Sequence, residues 1–114
     1  MATTTTAPVR MLSSLHQIKV TAANAGSHWF DPAALRYFSS RISLTVYPVP
    51  GGALFISSEQ FRPLYAAPEP RLYSVRSCTL AGNIDTVGEF QQYRTRAAAH
   101  AAAARMRREG FSLV

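Results

Sequence analysis

Apolar residues recur at helical spacing near the start of the chain, and a strand pattern replaces them from residue 43 onward. The first apolar set precedes Gly26, which stands where a helix C-cap belongs, and it consists of Met11, Leu12, Leu15, Ile18 and Ala22. A second, short helix is predicted from Pro32 to about Ser40, because Asp31 can cap free amides and Pro32 suits a first turn. The chain before residue 43 is therefore expected to be mainly helical.

Residues 43–90 carry the strand pattern, which is broken by turn signals. The segments SLTVYPVP and ALFISS flank a Gly51-Gly52 turn, so they predict a hairpin, and Pro48 and Pro50 indicate that its first strand lies at an edge. The proline-rich segment FRPLYAAPEP predicts a loop. RLYSVRSCTL then predicts a third strand, AGN a turn, and IDTVGEF a fourth strand ending near Phe90. Short hairpin connections favour a meander.

A last helix is predicted to begin at Thr95, its N-cap, and to end at about Glu109, with Gly110 following. The expected fold class is α+β, with two N-terminal helices, a four-stranded antiparallel meander and a C-terminal helix packed on the sheet. Residues 1–10 are expected to form a disordered, threonine-rich tail, and residues 11–114 a single domain.

The C-terminal helix has two different faces. The alanine face is predicted to pack closely on the sheet and consists of Ala98, Ala102 and Met106. The opposite, basic face spans about 40° and consists of Arg96, His100 and Arg107. Two interpretations stay open: this face is merely solvated, or it contacts phosphate or an acidic partner. Arg94 and Arg96 oppose the helix dipole at the helix start, which favours a functional role.

The net charge of +6 on 114 residues indicates an anionic partner, and Lys19 is the only lysine. The planar arginine fork suits phosphate and carboxylate groups, although a GC-rich genome would also favour arginine. Cys78 is the only cysteine, which excludes an intrachain disulfide and a cysteine zinc site and suits a reducing cytoplasm. No apolar run approaches the about 20 residues that span a bilayer, and MATTTTAPVR lacks the apolar core of a signal peptide.

Residues that could support catalysis do not form a recognisable constellation. Ser27, His28 and Asp31 are neighbours, but local spacing of this kind lacks a nucleophile elbow, and Asp31 is better explained as a helix cap. The three histidines show no metal-ligand spacing, and Cys78 lies in a strand pattern typical of a small buried residue. The carboxylates are scattered. We therefore expect no enzyme activity, no cofactor and no metal.

The aromatic residues give a more informative signal. Trp29, Phe30, Tyr37 and Phe38 lie in one short segment, and Arg36 and Arg41 accompany them. Most of these aromatic residues are expected in the core, but an exposed subset beside arginines would form a base-stacking surface or a protein-binding hot spot. Tyr65, in the proline-rich loop, is the aromatic residue expected to be most exposed. The candidate partner-binding residues are Arg36, Arg41, Tyr65, Arg94, Arg96, His100 and Arg107.

Two resemblances add to this interpretation. The segment RLYSVRSCTLAGNIDTVGEFQQYRTRAAAHAAA resembles the β-β-α arrangement of arm-type DNA-binding domains of phage integrases. The blocks HWFDPAALRYFSSRI, ISSEQF, PRLYSVR and IDTVGEFQQY together resemble short uncharacterised proteins of tailed phages and other bacterial mobile elements, over residues 26–105. That resemblance implies no particular activity, so no catalytic residues are carried over from it.

The leading functional prediction is a non-enzymatic accessory protein of a mobile element that binds a host or element complex. One specific form is an anti-CRISPR-like inhibitor of a nucleoprotein defence system. The alternative is a basic DNA- or RNA-binding accessory or regulatory protein. In either case the protein is expected to act as a monomer or homodimer in the cytoplasm of a bacterial host cell.

Overall fold

A computed structural model describes residues 10–114 as three helices and one four-stranded sheet. The elements are α1 (Leu15–Asn24), α2 (Pro32–Tyr37), β1 (Arg41–Val49), β2 (Gly52–Glu59), β3 (Leu72–Thr79), β4 (Ile84–Val87) and α3 (Arg96–Arg108). Neighbouring strands pair antiparallel in the order β1-β2-β3-β4, which confirms the α+β meander. Residues 1–9 of the predicted tail lie outside the described residues. Within residues 10–114 no helix is long and apolar enough to cross a membrane.

Helix α1 begins later than its apolar pattern predicts. Ser14 is the N-cap, and its hydroxyl accepts a hydrogen bond from the Gln17 amide at 3.1 Å. Met11 and Leu12 were predicted to be helical, but they precede this cap, and the Leu12 amide donates to the Gly52 carbonyl at 2.9 Å. Gly26 has a φ of 83° just after the helix, as predicted for a C-terminal glycine.

Helix α2 is shorter than predicted and is capped differently. It ends at Tyr37 rather than near Ser40, because Ser39 adopts a left-handed φ of 50°. Asp31 is the N-cap residue and Pro32 begins the helix, as predicted, but the Asp31 side chain makes no capping hydrogen bond, so that part of the prediction is wrong. Its carboxylate instead lies 2.9 Å from Nδ1 of exposed His28.

The central strand β2 is buried along its whole length because both faces of the sheet are covered. On one face Leu54 and Ile56 pack against α3. On the other, Phe55 packs against the rings of Trp29 and Phe30, and this second core also holds Leu12, Ile18, Ala53 and Cys78. Strand β1 is an edge strand, as its prolines indicated.

Strand β4 ends at Val87, three residues before the predicted end near Phe90. Gly88 has a φ of 79°, which turns the chain out of the sheet and releases Phe90 from strand geometry. The chain then returns to the sheet through an isolated bridge between Tyr93 and Tyr73. This excursion carries Phe90 over the sheet face opposite α3.

Helix α3 begins and ends as predicted, but its buried face is rotated. The Thr95 hydroxyl accepts from the Ala98 amide at 3.1 Å, and the helix C-cap is Glu109. The residues buried against the sheet are Ala99, Ala102 and Ala103, with Met106 half-buried beside them. Ala98, predicted on the packed face, is exposed. Consecutive alanines are chemically alike, so only the docking of the helix distinguishes them.

Replacing Ala102 by arginine is expected to lower the free energy of unfolding by about 2–3 kcal/mol, because a long charged side chain would enter a close helix-sheet contact. Ala98→Arg is the matched control, since it makes the same change on the exposed side of the same helix and should cost at most about 0.5 kcal/mol. Urea denaturation measures both variants. Equal stabilities of the two variants would contradict the observed helix rotation.

Candidate functional site: an aromatic cavity over a buried ion pair

Glu59 and Arg76 form an ion pair on the sheet face opposite α3. Their side chains are 7% and 12% exposed, and Arg76 Nη2 lies 3.7 Å from Glu59 Oε2. Because this face otherwise holds small and apolar side chains, two charges here carry a desolvation cost that their mutual attraction only partly offsets. A buried pair of this kind is a candidate for function.

The Arg76 guanidinium is held by hydrogen bonds and by two aromatic rings. Its Nε donates to the Ser57 hydroxyl at 2.9 Å, and its Nη1 donates to the Thr86 hydroxyl. Its Cζ lies 5.4 Å from the Trp29 ring centroid and 5.0 Å from that of Phe90, so it makes cation–π contacts with both. Burial lowers the pKa of Arg76, and the Glu59 carboxylate opposes that effect.

One oxygen of Glu59 has no hydrogen-bond partner. Oε2 accepts from the Ser40 hydroxyl at 3.4 Å, but Oε1 is fully buried and unpaired among the described residues. A buried carboxylate oxygen without a donor costs free energy, and such atoms in native proteins usually have a partner. Glu59 therefore presents an unused acceptor.

A cavity of about 350 Å³ lies over this pair. Its walls are mainly apolar, and Glu59, Arg76 and Ser40 supply the polar groups. Helix α2 supplies part of the wall, and the loop after β4 supplies Phe90. The apolar lining residues are Trp29, Ala34, Leu35, Phe38 and Phe90. Apolar walls with a few placed polar groups are typical of small-molecule and cofactor sites.

An open groove of about 580 Å³ continues from this cavity and shares Phe38, Glu59 and Phe90 with it. We call its four exposed aromatic residues the aromatic face; they are Tyr37 (83% exposed), Phe61 (62%), Phe38 (58%) and Phe90 (54%). Tyr37 and Phe38, expected mostly in the core, are therefore on the surface. A contiguous exposed apolar patch of this kind marks an interaction site.

Four arginines surround a neighbouring depression of about 320 Å³, which shares Leu35 and Ser40 with the aromatic cavity. We call these residues the arginine cluster; they are Arg36, Arg41, Arg62 and Arg71. Within residues 10–114 the ion pairs closer than 4.0 Å are Arg76–Glu59 and His28–Asp31, so the cluster has no carboxylate partner there. Its positive charge is not neutralised by an ion pair among these residues and suits an anion.

Arg71 holds the cluster to the fold. Its Nη1 donates to the backbone carbonyls of Ser39 and Ser58, at 2.7 and 3.0 Å. Burial lowers the pKa of Arg71 and the charges of Arg41 and Arg62 lower it further, whereas the Glu59 carboxylate raises it. An anion bound among these like charges would stabilise them.

The candidate residues predicted from the sequence are only partly brought together. Arg36 and Arg41 lie in the arginine cluster, and Arg96 meets Arg41 and His100 at a separate cavity of about 360 Å³. Two others, Arg94 and Tyr65, are exposed away from these cavities, Tyr65 almost completely as expected. Exposed Arg107 donates from Nε to the Pro48 carbonyl at 2.9 Å.

His100 does not belong to a solvated basic stripe. Its Nδ1 lies 2.7 Å from the Tyr47 hydroxyl and its Nε2 lies 3.4 Å from the Ser43 hydroxyl, so it is half-buried against β1. Burial lowers the pKa of His100, and the positive charge of Arg96 lowers it further. The predicted face of α3 is therefore divided between sheet contacts and solvent.

Because the folded protein keeps His100 neutral where the unfolded chain protonates it, stability is expected to fall as pH drops below about 6.5, until the folded pKa is passed. His100→Gln should remove this part of the pH dependence. His16→Gln is the control, since His16 is exposed on α1. Urea denaturation at about pH 5 and about pH 8 measures the difference. An unchanged slope in His100→Gln would contradict this expectation.

The residues that were weighed for catalysis in the sequence make the following contacts. The Ser27 hydroxyl accepts from the Trp29 amide, while His28 and Asp31 pair on the surface. Burial raises the pKa of the Cys78 thiol to about 11, which leaves it protonated at neutral pH. Among residues 10–114 no group of three or more histidine, cysteine or acidic residues could hold a metal ion.

Sequence reasoning missed Glu59 and Arg76 as site residues. The available signal was a charged residue inside each of two strand patterns, ISSE and YSVRSC, at positions where alternation directs side chains to one face. Phe90 was missed because it was assigned to the end of β4. Arg62 and Arg71 lie at the two ends of the proline-rich segment that was predicted to be a loop, and no sequence signal marked them as site residues.

Comparison with known protein families identifies a match that covers most of the chain. The model of a family described as a family of unknown function, DUF7447, matches residues 14–104. No curated protein and no solved structure matches the chain. The matched range includes every residue of the aromatic cavity, the aromatic face and the arginine cluster.

Proposed function

This chain belongs to DUF7447, a family of unknown function, and we propose that it is a non-enzymatic binding protein that docks on a nucleoprotein complex. The observation that carries the proposal is the aromatic face beside an arginine cluster without carboxylate partners. Aromatic residues and arginine are the side chains most enriched at binding hot spots. The aromatic residues would supply buried area, and the arginines would meet the anionic part of the partner.

The specific form that we propose is an accessory protein of a bacterial mobile element that inhibits a nucleoprotein defence complex in the host cytoplasm. The resemblance to short phage proteins supports this form. A net charge of +6 argues against imitation of DNA by an acidic surface. A basic inhibitor would instead occupy an acidic groove or contact the nucleic acid of the complex.

Direct binding to DNA or RNA is the second candidate function. It is favoured by the exposed arginines of α3 and of the link before it, which include Arg94, Arg96, Arg105 and Arg108. Their charge would give sequence-independent contacts to phosphate, with an affinity that falls steeply with salt. The two candidate functions require different surfaces: docking requires the aromatic face, and direct nucleic-acid binding requires the exposed arginines of α3.

Affinity purification from the native host tests the proposal. We expect the wild-type protein to retain a defined protein complex after nuclease treatment, and the double variant Tyr37→Ser/Phe61→Ser to lose it. Both residues are exposed, so the variant should unfold within about 1 kcal/mol of wild type. Tyr65→Ser is the matched control, because Tyr65 is exposed outside the aromatic face, and it should retain the complex.

The triple variant Arg94→Gln/Arg96→Gln/Arg107→Gln separates the two candidates. Retention of the complex by this variant, together with its loss in the aromatic double variant, supports docking through the aromatic face. Direct nucleic-acid binding would be supported instead if nucleic acid alone co-purified and the triple variant retained less of it. In that case the slope of log K against log salt should also be lower in the triple variant, by about one unit per lost phosphate contact.

A further inference from the structure

We propose that the aromatic face and the arginine cluster together bind an unpaired strand of nucleic acid, with its bases on the exposed rings and its phosphates at the arginines. This inference rests on the proposed docking on a nucleoprotein complex, and it names the part of that complex which this surface contacts. It is carried by the continuity of the two regions, because Ser39 and Arg62 line both the aromatic groove and the arginine depression.

Three rings of the aromatic face are available for stacking. Tyr37, Phe38 and Phe61 are each more than half exposed. The rings of Tyr37 and Phe38 meet edge to face with centroids 4.8 Å apart, which orients both rings while most of their surface stays open. Phe90 is not counted, because its ring already contacts the Arg76 guanidinium. Unpaired bases stack on exposed rings of this kind, since every base has a π-face.

The arginine cluster supplies the positive charge for the phosphates. Its four arginines line one depression of about 320 Å³. Arg71 is fixed by its hydrogen bonds to backbone carbonyls, and Arg62 donates from Nη2 to the Gln60 side chain at 2.9 Å. Arg36 and Arg41 are exposed. Guanidinium groups bind phosphate through paired, charge-assisted hydrogen bonds, so the depression suits the backbone of a nucleic acid.

The order of the two regions matches the build of a nucleotide, in which the base and the phosphate lie on opposite sides of the sugar. A phosphate in the arginine depression would place the adjoining base in the aromatic groove, because the two regions meet at Ser39 and Arg62. The bases of a duplex are stacked on one another and offer no free face along its length. The site therefore suits unpaired strands.

The polar lining of the groove favours nucleic acid over an acidic protein segment. Besides its rings, the groove is lined by Ser39, Gln60, Glu69 and Gln91. A protein-binding hot spot is instead a well-packed pocket from which water is excluded. The Glu69 carboxylate would repel the acidic side chains of a protein segment, whereas an uncharged base meets no such repulsion.

The site is expected to accept any of the bases. The free carboxylate oxygen of Glu59 is fully buried beneath the groove, so no base edge can reach it. Stacking on the three rings and attraction to the four arginines depend little on which base is present. The preference that distinguishes this site is therefore for unpaired over paired strands.

Fluorescence anisotropy of labelled oligonucleotides tests the inference with the purified full chain. We expect a single-stranded oligothymidylate of about 12 nucleotides to bind at least about tenfold more tightly than a duplex of the same length. Equal or tighter binding of the duplex would overturn the inference. Displacement of the labelled strand by a polyglutamate peptide as effectively as by unlabelled strand would also overturn it, because that result indicates an acidic protein partner.

The double variant Tyr37→Ser/Phe61→Ser tests the rings. It should weaken single-strand binding at least about tenfold and leave the dependence on salt unchanged. Tyr65→Ser is the matched control, because Tyr65 is exposed outside the aromatic groove, and it should bind the strand as wild type does. All three residues are exposed, so circular dichroism should show folded variants. Unchanged affinity in the double variant would contradict stacking on these rings.

The double variant Arg36→Gln/Arg62→Gln tests the arginine cluster. The slope of log K against log salt should fall by about 0.7 for each phosphate contact that is lost. Arg10→Gln/Lys19→Gln is the matched control, because it removes two positive charges at exposed positions outside the groove and the depression, and it should keep the wild-type slope. Equal slopes in the two double variants would show that binding responds only to net charge, and the strand site would then be wrong.

Failure of this inference can be told from failure of the proposed function. A protein that binds no oligonucleotide but still loses its partner complex on Tyr37→Ser/Phe61→Ser retains the proposed docking, through protein contacts, and loses only the strand site. A protein that prefers single strands but keeps its complex in that double variant has the strand site without docking through the aromatic face. Nuclease treatment does not obscure this distinction, because the purified chain is tested with added oligonucleotide.

Discussion

Arg76→Met is expected to lower the free energy of unfolding by about 3–5 kcal/mol, because it leaves the Glu59 carboxylate buried without its cation. The substitution also removes the hydrogen bonds to Ser57 and Thr86 and the contacts of the guanidinium with two aromatic rings. Methionine retains the length of the aliphatic stem, so the loss reports on charge and hydrogen bonding more than on volume. Chemical denaturation monitored by circular dichroism provides the measurement.

The double variant Glu59→Gln/Arg76→Met should be more stable than Arg76→Met alone, since no buried charge is then left unpaired. The difference between the double variant and the sum of the two single variants gives the coupling free energy of the pair. Arg62→Met is the control for loss of an exposed arginine and should cost at most about 0.5 kcal/mol. Strictly additive effects of the two single substitutions would show that Glu59 and Arg76 are not coupled.

Gly52→Ala is expected to cost about 3–4 kcal/mol, because the added methyl group would lie 1.9 Å from the Cys78 backbone carbonyl oxygen. Gly52 begins β2, directly opposite Thr79 in β3, and the Leu12 amide donates to its carbonyl. Backbone on both sides therefore prevents local relief. The methyl group can be accommodated only by moving the strands apart, which would disturb both hydrophobic cores.

Gly110→Ala separates this steric effect from the loss of glycine flexibility. Gly110 has a φ of 88° after α3, and no atom lies within 4 Å of an added Cβ. The substitution should cost only the about 1–2 kcal/mol of placing an L-residue in the left-handed region. Thermal unfolding of the two variants gives the comparison. A Gly52→Ala variant as stable as Gly110→Ala would show that β2 and β3 can move apart to accommodate the methyl group at little cost in free energy.

The fold was largely predictable because its signals are local. Helix α3 is delimited by Thr95 and Gly110 through their own backbone and side-chain preferences, and Gly51, with a φ of 86°, turns the first hairpin. The errors occur where local preference was overruled. Asp31 bonds to His28 rather than to free amides, and β4 stops at Gly88 because that residue adopts a positive φ. An alternating pattern continues beyond the last paired residue, so it overestimates strand length.

The candidate site was predictable only in part. Arg36 and Arg41 were recognised because they accompany aromatic residues in one segment, and Tyr65 because it lies in a proline-rich loop. The basic face of α3 was assigned from helical angles, but those angles do not say which residues the sheet will touch. His100 is drawn against β1 by Tyr47, which lies 53 residues earlier in the chain.

By itself, then, the sequence determined the order and type of the elements, the meander, the excess of positive charge and the edge position of β1. These properties follow from turn residues, caps and periodicity, which act over a few neighbouring residues. Only the tertiary structure decided that Glu59 lies 3.7 Å from Arg76 beneath Trp29 and Phe90, and that arginines from four separate positions surround one depression. The physical reason is that strand register and helix docking bring together side chains from distant segments, and no local preference encodes those contacts.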